Sequence, residues 1–282
     1  MARVLIAGCG YLGNALGGAL LCDAHDVWGL KRRVVGLALG IRPVEADLGL
    51  AATLRDLPTG LDFVFYMVSP GGSDDALYRA AYVVGLRNLL EVFEARRERP
   101  RRVFFVSSTA VYAQQDGEWV DEASPTEPRH FSGRRLLEGE RLLFESPFAG
   151  TVVRLGGIYG PRRARLIERL RTGSAVYRGK PPQYTNRIHR DDCVGALRHL
   201  MGLEAPERLY LGVDCEPAAE ASVLGWLVGV MGAPPARAVE SAPRQRESGN
   251  KRCRNDRLLA SGYAFRYPTF REGYTAVLAG RD

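Results

Sequence analysis

The chain has 282 residues, 46% hydrophobic and 25% charged, which suits one large α/β domain or a core domain with a smaller lobe and excludes extended disorder. The net charge is +7, but only three of the 39 basic residues are lysines, and the arginines are scattered rather than striped, so nucleic acid is not expected as a partner. No apolar run reaches the roughly 18 residues of a membrane span, and five cysteines without C-x-x-C spacing read as reduced thiols of a cytoplasmic protein with no metal site.

Val4–Ala7 is a short apolar run of the kind buried in parallel sheets. Gly8–Gly13 follows as a turn, Tyr11–Leu21 as an Ala/Leu/Gly-rich helix and Asp26–Leu30 as a second strand, together one βαβ unit. The apolar start is not read as a lipid-attachment signal, because Leu21 is too large for the residue before a modified Cys22. Pro43–Ala46 and Phe63–Val68 are the next strands. Asp75–Arg97 reads as one long helix, with Ala76, Ala80, Val83, Val84, Leu86, Leu90 and Phe93 on its apolar face. Val103–Ser107 is a fifth strand, Arg134–Phe144 a helix and Thr151–Leu155 a sixth strand. The alternation predicts a Rossmann-type doubly wound parallel sheet.

After about Gly156 the rhythm loosens. Asp191–Met201 and Ser222–Met231 read as helices, Ala233–Asn250 as a loop, and Arg252–Gly280 as a mixed tail. The expected organisation is a dinucleotide-binding core over 1–155, with 185–202 returning to it, and a smaller C-terminal substrate lobe from 156–184 and 203–282. There are no internal repeats.

Gly8-Cys9-Gly10-Tyr11-Leu12-Gly13 is G-x-G-x-x-G between a strand and a helix. The first glycine makes the tight turn, the second lets a pyrophosphate approach the backbone, and the third lets helix and strand pack closely. The helix start offers N–H groups and a positive dipole end to phosphate. Gly8, Gly10, Tyr11, Leu12 and Gly13 are therefore candidate cofactor-binding residues. The second strand ends Leu30-Lys31-Arg32-Arg33. An NAD site usually carries an acidic residue there for the ribose 2′-hydroxyl. Three cations suit a 2′-phosphate instead, so NADP is the expected cofactor, with NAD as the alternative and a solvated basic turn as the plainer reading of Lys31, Arg32 and Arg33.

Val103-Phe104-Phe105-Val106-Ser107-Ser108-Thr109-Ala110-Val111-Tyr112 resembles the extended short-chain dehydrogenase/reductase family, the NAD-dependent epimerases and dehydratases. Three later segments fit the same family in the same order: Val153–Pro161, Asn186–Asp192 and Asn255–Gly273. The resemblance implies that Ser108, with Thr109 beside it, hydrogen-bonds the reacting oxygen. It places Asp47 near the adenine, and Met67, Val68, Ser69 and Ser107 along the cofactor. It also implies a small-molecule substrate, such as a nucleotide sugar, and a homodimer.

The family moves protons with a Tyr-x-x-x-Lys pair, in which the tyrosine is the acid/base and the lysine lowers its pKa. With three lysines the search is exhaustive: Val27 stands four residues before Lys31, Val176 before Lys180 and Glu247 before Lys251. At the expected place the sequence is Phe131-Ser132-Gly133-Arg134-Arg135. One register puts Phe131 and Arg135 at the two positions; another, set by Glu140, puts Ser132 and Leu136 there. An atypical branch of the family is implied. His130 is the candidate replacement acid/base, with Tyr159, Tyr184 and His189 behind it, all open to a structural reading. Arg154, Arg162, Arg163 and Arg187 are expected as solvated surface, or as contacts to an anionic substrate. Two functions follow: an NADP-dependent oxidoreductase or epimerase, or a non-catalytic NAD(P)-binding sensor or scaffold.

Overall fold

The computed structural model describes residues 1–239 and 249–280. Its main sheet has seven strands. The first half of the chain supplies β1 (Arg3–Ala7), β2 (Asp26–Lys31), β3 (Arg42–Glu45), β4 (Phe63–Tyr66) and β5 (Arg102–Ser108). Strands Gly150–Leu155 and Leu209–Gly212 extend the sheet beyond β5, so that the order from the opposite edge is β3, β2, β1, β4, β5, 150–155, 209–212. β1 pairs in parallel with both β2 and β4, β2 with β3, and β4 with β5. The chain thus runs outward from β1 to β3 and returns to lay β4 on the other side of β1. That reversal is where doubly wound sheets bind ligands.

Strand identity follows from continuous apolar sequence. Val4, Leu5, Ile6 and Ala7 are fully buried, as are Val64, Phe65 and Tyr66. Phe65 stacks on Phe104 of the neighbouring strand, with ring centroids 4.7 Å apart. Cross-strand aromatic pairs of this kind stabilise the sheet face they share.

The helices of this half are α1 (Tyr11–Cys22), α2 (Asp75–Arg79), α3 (Gly85–Ala95) and α4 (Phe131–Glu145). The expected single helix over Asp75–Arg97 is interrupted: a π-helical turn over Ala80–Val84 joins α2 to α3, and the chain leaves the helix at Arg97 with φ 55°. α4 begins three residues earlier than Arg134, because His130 serves as its N-cap. The loop expected over Ala233–Asn250 contains a short strand, Arg237–Val239, and 240–248 of it lie outside the described residues. The mixed tail resolves into the helices Asp256–Ala260 and Phe270–Ala279, the latter started by a capping box of Thr269 and Glu272.

The chain divides into two compact units. One comprises 1–111, 128–154 and 194–210, the other 112–127, 155–193 and 211–282. The second unit is built on two-stranded pairings, among them Gly157–Tyr159 with Arg187–His189 and Glu118–Val120 with Lys251–Cys253. Its core gathers Tyr159, Ile167, Leu170, Leu224, Leu227 and Phe270. Asp192 ties the tail to this unit: its carboxylate accepts from Tyr263 Oη at 2.8 Å and from the backbone N–H groups of Arg266 and Tyr267 at 2.8 and 2.9 Å. No helix among the described residues is long and apolar enough to cross a membrane.

Asp214 is buried in the second unit, and its Oδ2 has no hydrogen-bond partner among the described residues. Burial pushes its pKa up to about 8, and the nearby Arg187 guanidinium offsets that only in part. An unfolded aspartate titrates near pH 3.9. Between about pH 4 and 8 the folded chain therefore holds a proton that the unfolded chain has lost, so Asp214 makes stability fall as pH rises through that window. Urea denaturation of Asp214→Asn at pH 5 and pH 8 is expected to show the variant gaining on the wild type at the higher pH. Parallel pH dependences of the two proteins would refute the assignment.

Candidate active site

Gly8 ends β1 with φ 89°. A Cβ there would lie 2.7 Å from the Cα of Val68, so the glycine turn and the chain leaving β4 touch backbone to backbone. Met67 N–H donates to Ala7 O at 2.9 Å and holds that approach. Gly13 is equally constrained, with its Cβ position 3.0 Å from Ile6 Cγ2 and 3.2 Å from Gly8 O. Gly10 differs. It is exposed, it caps α1 with no side-chain hydrogen bond, and a Cβ on it would approach only Gly8 O, at 3.9 Å. α1 has no acidic residue in its first turn. An uncapped helix start, free of acidic side chains and fronted by an exposed glycine, fits a pyrophosphate. Tyr11 opens the helix half-buried, and Leu12 is buried beneath it.

Asn14, which the sequence reading passed over, braces this loop. Its Nδ2 donates to Gly36 O at 2.7 Å and its Oδ1 accepts from Ala38 N at 3.0 Å, tying α1 to the segment after β2. In that segment Lys31 is half-buried, with Nζ on Val35 O at 2.9 Å. Arg32 and Arg33 are exposed and make no hydrogen bond or ion pair among the described residues. The Arg32 guanidinium comes within 3.8 Å of the Cβ position of Gly71, in the loop after β4. Asp47 accepts from Gly49 N–H at 2.9 Å and so shapes its own turn. Met67 is buried, Val68 half-buried and Ser69 exposed. The fold thus brings the glycine turn together with Met67 and Val68, and the basic turn with the loop after β4.

At the end of β5 the three hydroxyls separate. Ser107 is buried and donates to Glu140 Oε1 at 2.5 Å. Glu140 in turn receives Arg154, whose Nε and Nη2 lie 3.0 and 2.6 Å from the two carboxylate oxygens, all of it buried. Thr109 is buried as well. Ser108 is half-buried, and its Oγ accepts from Ala110 N–H at 3.2 Å, leaving its own O–H to donate. Arg154 is therefore no solvated arginine, and neither is buried Arg187, whose Nη2 donates to Thr185 Oγ1 at 2.5 Å. The solvated reading fails for both: the Glu140 carboxylate receives Arg154, whereas Arg187 is buried with its Nη1 unpartnered among the described residues, and the sequence displays neither arrangement.

α4 sits directly on this strand end. A Cβ on Gly133 would fall 2.6 Å from Ala110 O, so only glycine allows the first turn of the helix to reach the residues after Ser108. His130 Nδ1 accepts from Ser132 N–H at 3.3 Å and lies 2.8 Å from Ser132 Oγ. Arg135 is held by Asp75, through two 2.8 Å hydrogen bonds, and by Glu138 at 2.8 Å. Leu136 is buried. Of the other candidates, Tyr159 and His189 are buried in the second unit, edge to face at 5.3 Å, and burial pushes the Tyr159 phenol far up. Tyr184 is half-buried there with Arg252 over its ring at 4.8 Å. No group of three or more metal-ligating side chains is found among the described residues.

The family described as the NAD dependent epimerase/dehydratase family matches residues 4–206. A Streptomyces protein named 3-diazoavenalumate denitrifying reductase is 31% identical, over 96% of this chain and 98% of its own. A Methylobacillus flagellatus structure described as an NAD-dependent epimerase/dehydratase is 36% identical, with a TM-score of 0.82 and 99% and 98% of the two chains covered. A human epimerase family protein, SDR39U1, solved with NADPH, shares the fold at 21% identity, with a TM-score of 0.80 over 98% of this chain and 99% of that one.

The geometry separates two glycines. Gly8→Ala is expected to destabilise the chain by roughly 1–3 kcal/mol, through the positive φ and the collision with Val68. Gly10→Ala is expected to keep a near-native thermal midpoint while weakening NADPH binding about tenfold or more. Melting curves and NADPH fluorescence titrations of both variants check this, and equal cofactor affinities for Gly10→Ala and wild type would refute it.

Proposed function

The chain belongs to the NAD dependent epimerase/dehydratase family, and on that premise we propose that it is an NADP(H)-dependent oxidoreductase working as a reductase of a small-molecule substrate. The observation that bears on how the proton moves lies on α4. Withdrawing hydride from an alcohol requires a base on the alcohol oxygen. α4 offers Phe131 and Arg135 in one register, Ser132 and Leu136 in the other, and Arg135 is held by Asp75 and Glu138. Hydride delivery needs a proton at that same oxygen, so the bare helix leaves the proton to water in both directions and does not choose between them. The direction is taken from the 31% identical relative, which is itself named a reductase.

In this reading the glycine loop holds the pyrophosphate against the N-terminus of α1, and Arg32 and Arg33 hold the 2′-phosphate. The reduced nicotinamide, when bound, supplies the hydride. Ser108 donates its free O–H to the accepting group and fixes its orientation. Ser107 keeps the β5 end in place through Glu140 rather than meeting substrate. The second unit, and within it the segments Gly157–Pro161 and Tyr184–His189, is read as the substrate lobe. A non-catalytic NADP(H) sensor is favoured by the same bare α4. It would bind cofactor and show no hydride transfer with any acceptor, whereas the reductase loses turnover in Ser108→Ala with its cofactor affinity intact.

Calorimetric titration tests the cofactor assignment. The double variant Arg32→Ala/Arg33→Ala is expected to weaken NADPH binding about 10- to 100-fold, since two charge-assisted contacts are lost. NADH binding should change less than about twofold, because NADH has no 2′-phosphate. Equal losses for the two nucleotides, or no loss for either, would remove the assignment.

A further inference from the structure

α4 and the rod that runs from α2 to α3 bring aromatic side chains together in a row. The His130 and Phe131 rings lie 4.0 Å apart. Phe131 meets Tyr78 edge-on at 5.3 Å, and Tyr78 lies 5.6 Å from Tyr82. Tyr82, on the π-helical turn, is edge-on to Phe105 of β5 at 6.3 Å. Phe105 is fully buried, but the other four rings are only half-buried, so the row begins in the core and ends as a wall that a ligand can reach. The α4 end of this wall lies near Ser108: Ala110, against which α4 rests, gives its N–H to Ser108 Oγ. Phe105, three residues before Ser108 on β5, faces the opposite side of the strand, toward α4. Gly133 seats the first turn of α4 against Ala110 O. Ser132, between Phe131 and Gly133, contributes only a hydroxymethyl group, which turns toward His130.

Of the cations beside the wall, Arg135 is engaged by Asp75 and Glu138, and Arg134 gives Nη1 to Arg129 O at 3.1 Å while keeping its charge. The rings themselves offer edges and faces that select another ring.

We propose that the hydride acceptor is a planar aromatic compound whose ring packs on Phe131, Tyr78 and Tyr82, with its reducible group at Ser108. This rests on the reductase reading and names its substrate class. The ring edges of Phe131 and Tyr82 supply contact and orientation, and Ser108 supplies the polar anchor. Pockets that combine an apolar lining with one or two placed donors bind small molecules in this way.

The test uses the full chain saturated with NADP+, with trans-cinnamate as the aromatic probe and UDP-glucose as the nucleotide-sugar probe, each titrated with saturation-transfer NMR as the readout. Cinnamate is expected to bind through its ring protons, and UDP-glucose to show no saturable transfer. Phe131→Leu and, on a separate element, Tyr78→Leu are each expected to weaken cinnamate about 5-fold while leaving NADP+ affinity unchanged. The second variant serves if the first does not fold. No cinnamate binding, cinnamate binding indifferent to both folded variants, or saturable binding of UDP-glucose would overturn the proposal. Failure of the wild-type chain to bind NADP+, seen before any probe is added, would instead overturn the reductase reading beneath it.

Discussion

The buried carboxylate of Glu140 is the constraint on which the site depends. Arg154 and Ser107 both bond to it, so one side chain of α4 is joined to β5 and to the strand Gly150–Leu155. Removing one member of a buried ion pair leaves the other uncompensated and costs about 3–5 kcal/mol. Two turns of helix toward the N-terminus from Glu140, the same helix rests on Ala110 through Gly133. The pair therefore sets both the height and the rotation of α4 over the strand end. With Ser107 engaged in this anchor and Thr109 buried, Ser108 is the hydroxyl left for a ligand.

The cofactor side depends on a different kind of constraint, the close approach of two backbones. Gly8 and Val68 touch where any side chain would intrude, and the Met67–Ala7 hydrogen bond keeps them there. Around this contact the electrostatics agree: an uncapped helix start on one side and, on the other, two exposed arginines without an ion pair among the described residues. α4 shows the opposite character. Arg135, one of the two residues that could stand where the family has its lysine, is paired with two carboxylates, and the other, Leu136, is buried. A helix start and an arginine pair suited to anions thus coexist with a helix, α4, that offers neither phenol nor amine.

Much of the core was legible in the sequence because a strand buried on both faces must be continuously apolar, as 4–7, 63–66 and 103–105 are. The glycine loop was legible for a similar reason, since its spacing encodes backbone contacts. The second unit was not, because pairings of two or three residues, such as Tyr184–Thr185 with Ala218–Ala219, are too short to show a period. The start of α4 was hidden because its cap is a histidine, outside the usual Ser, Thr, Asp and Asn. Arg154 and Arg187 were misjudged because a side chain's type says nothing of the acceptors that fold around it. The bracing role of Asn14 has the same origin: its partners, Gly36 and Ala38, are backbone atoms.

On the proposed reading, this chain keeps the dinucleotide grip of its family and presents no protein acid from α4 to the reacting centre. A crystal structure of the NADP+ complex tests it most directly. The pyrophosphate is expected against the backbone of Gly10–Leu12, the 2′-phosphate between Arg32 and Arg33, and no α4 phenol, amine or guanidinium within hydrogen-bonding distance of the nicotinamide or its ribose. A complex in which Arg135 leaves Asp75 to hold that ribose, or in which the 2′-phosphate lies away from both arginines, would contradict it.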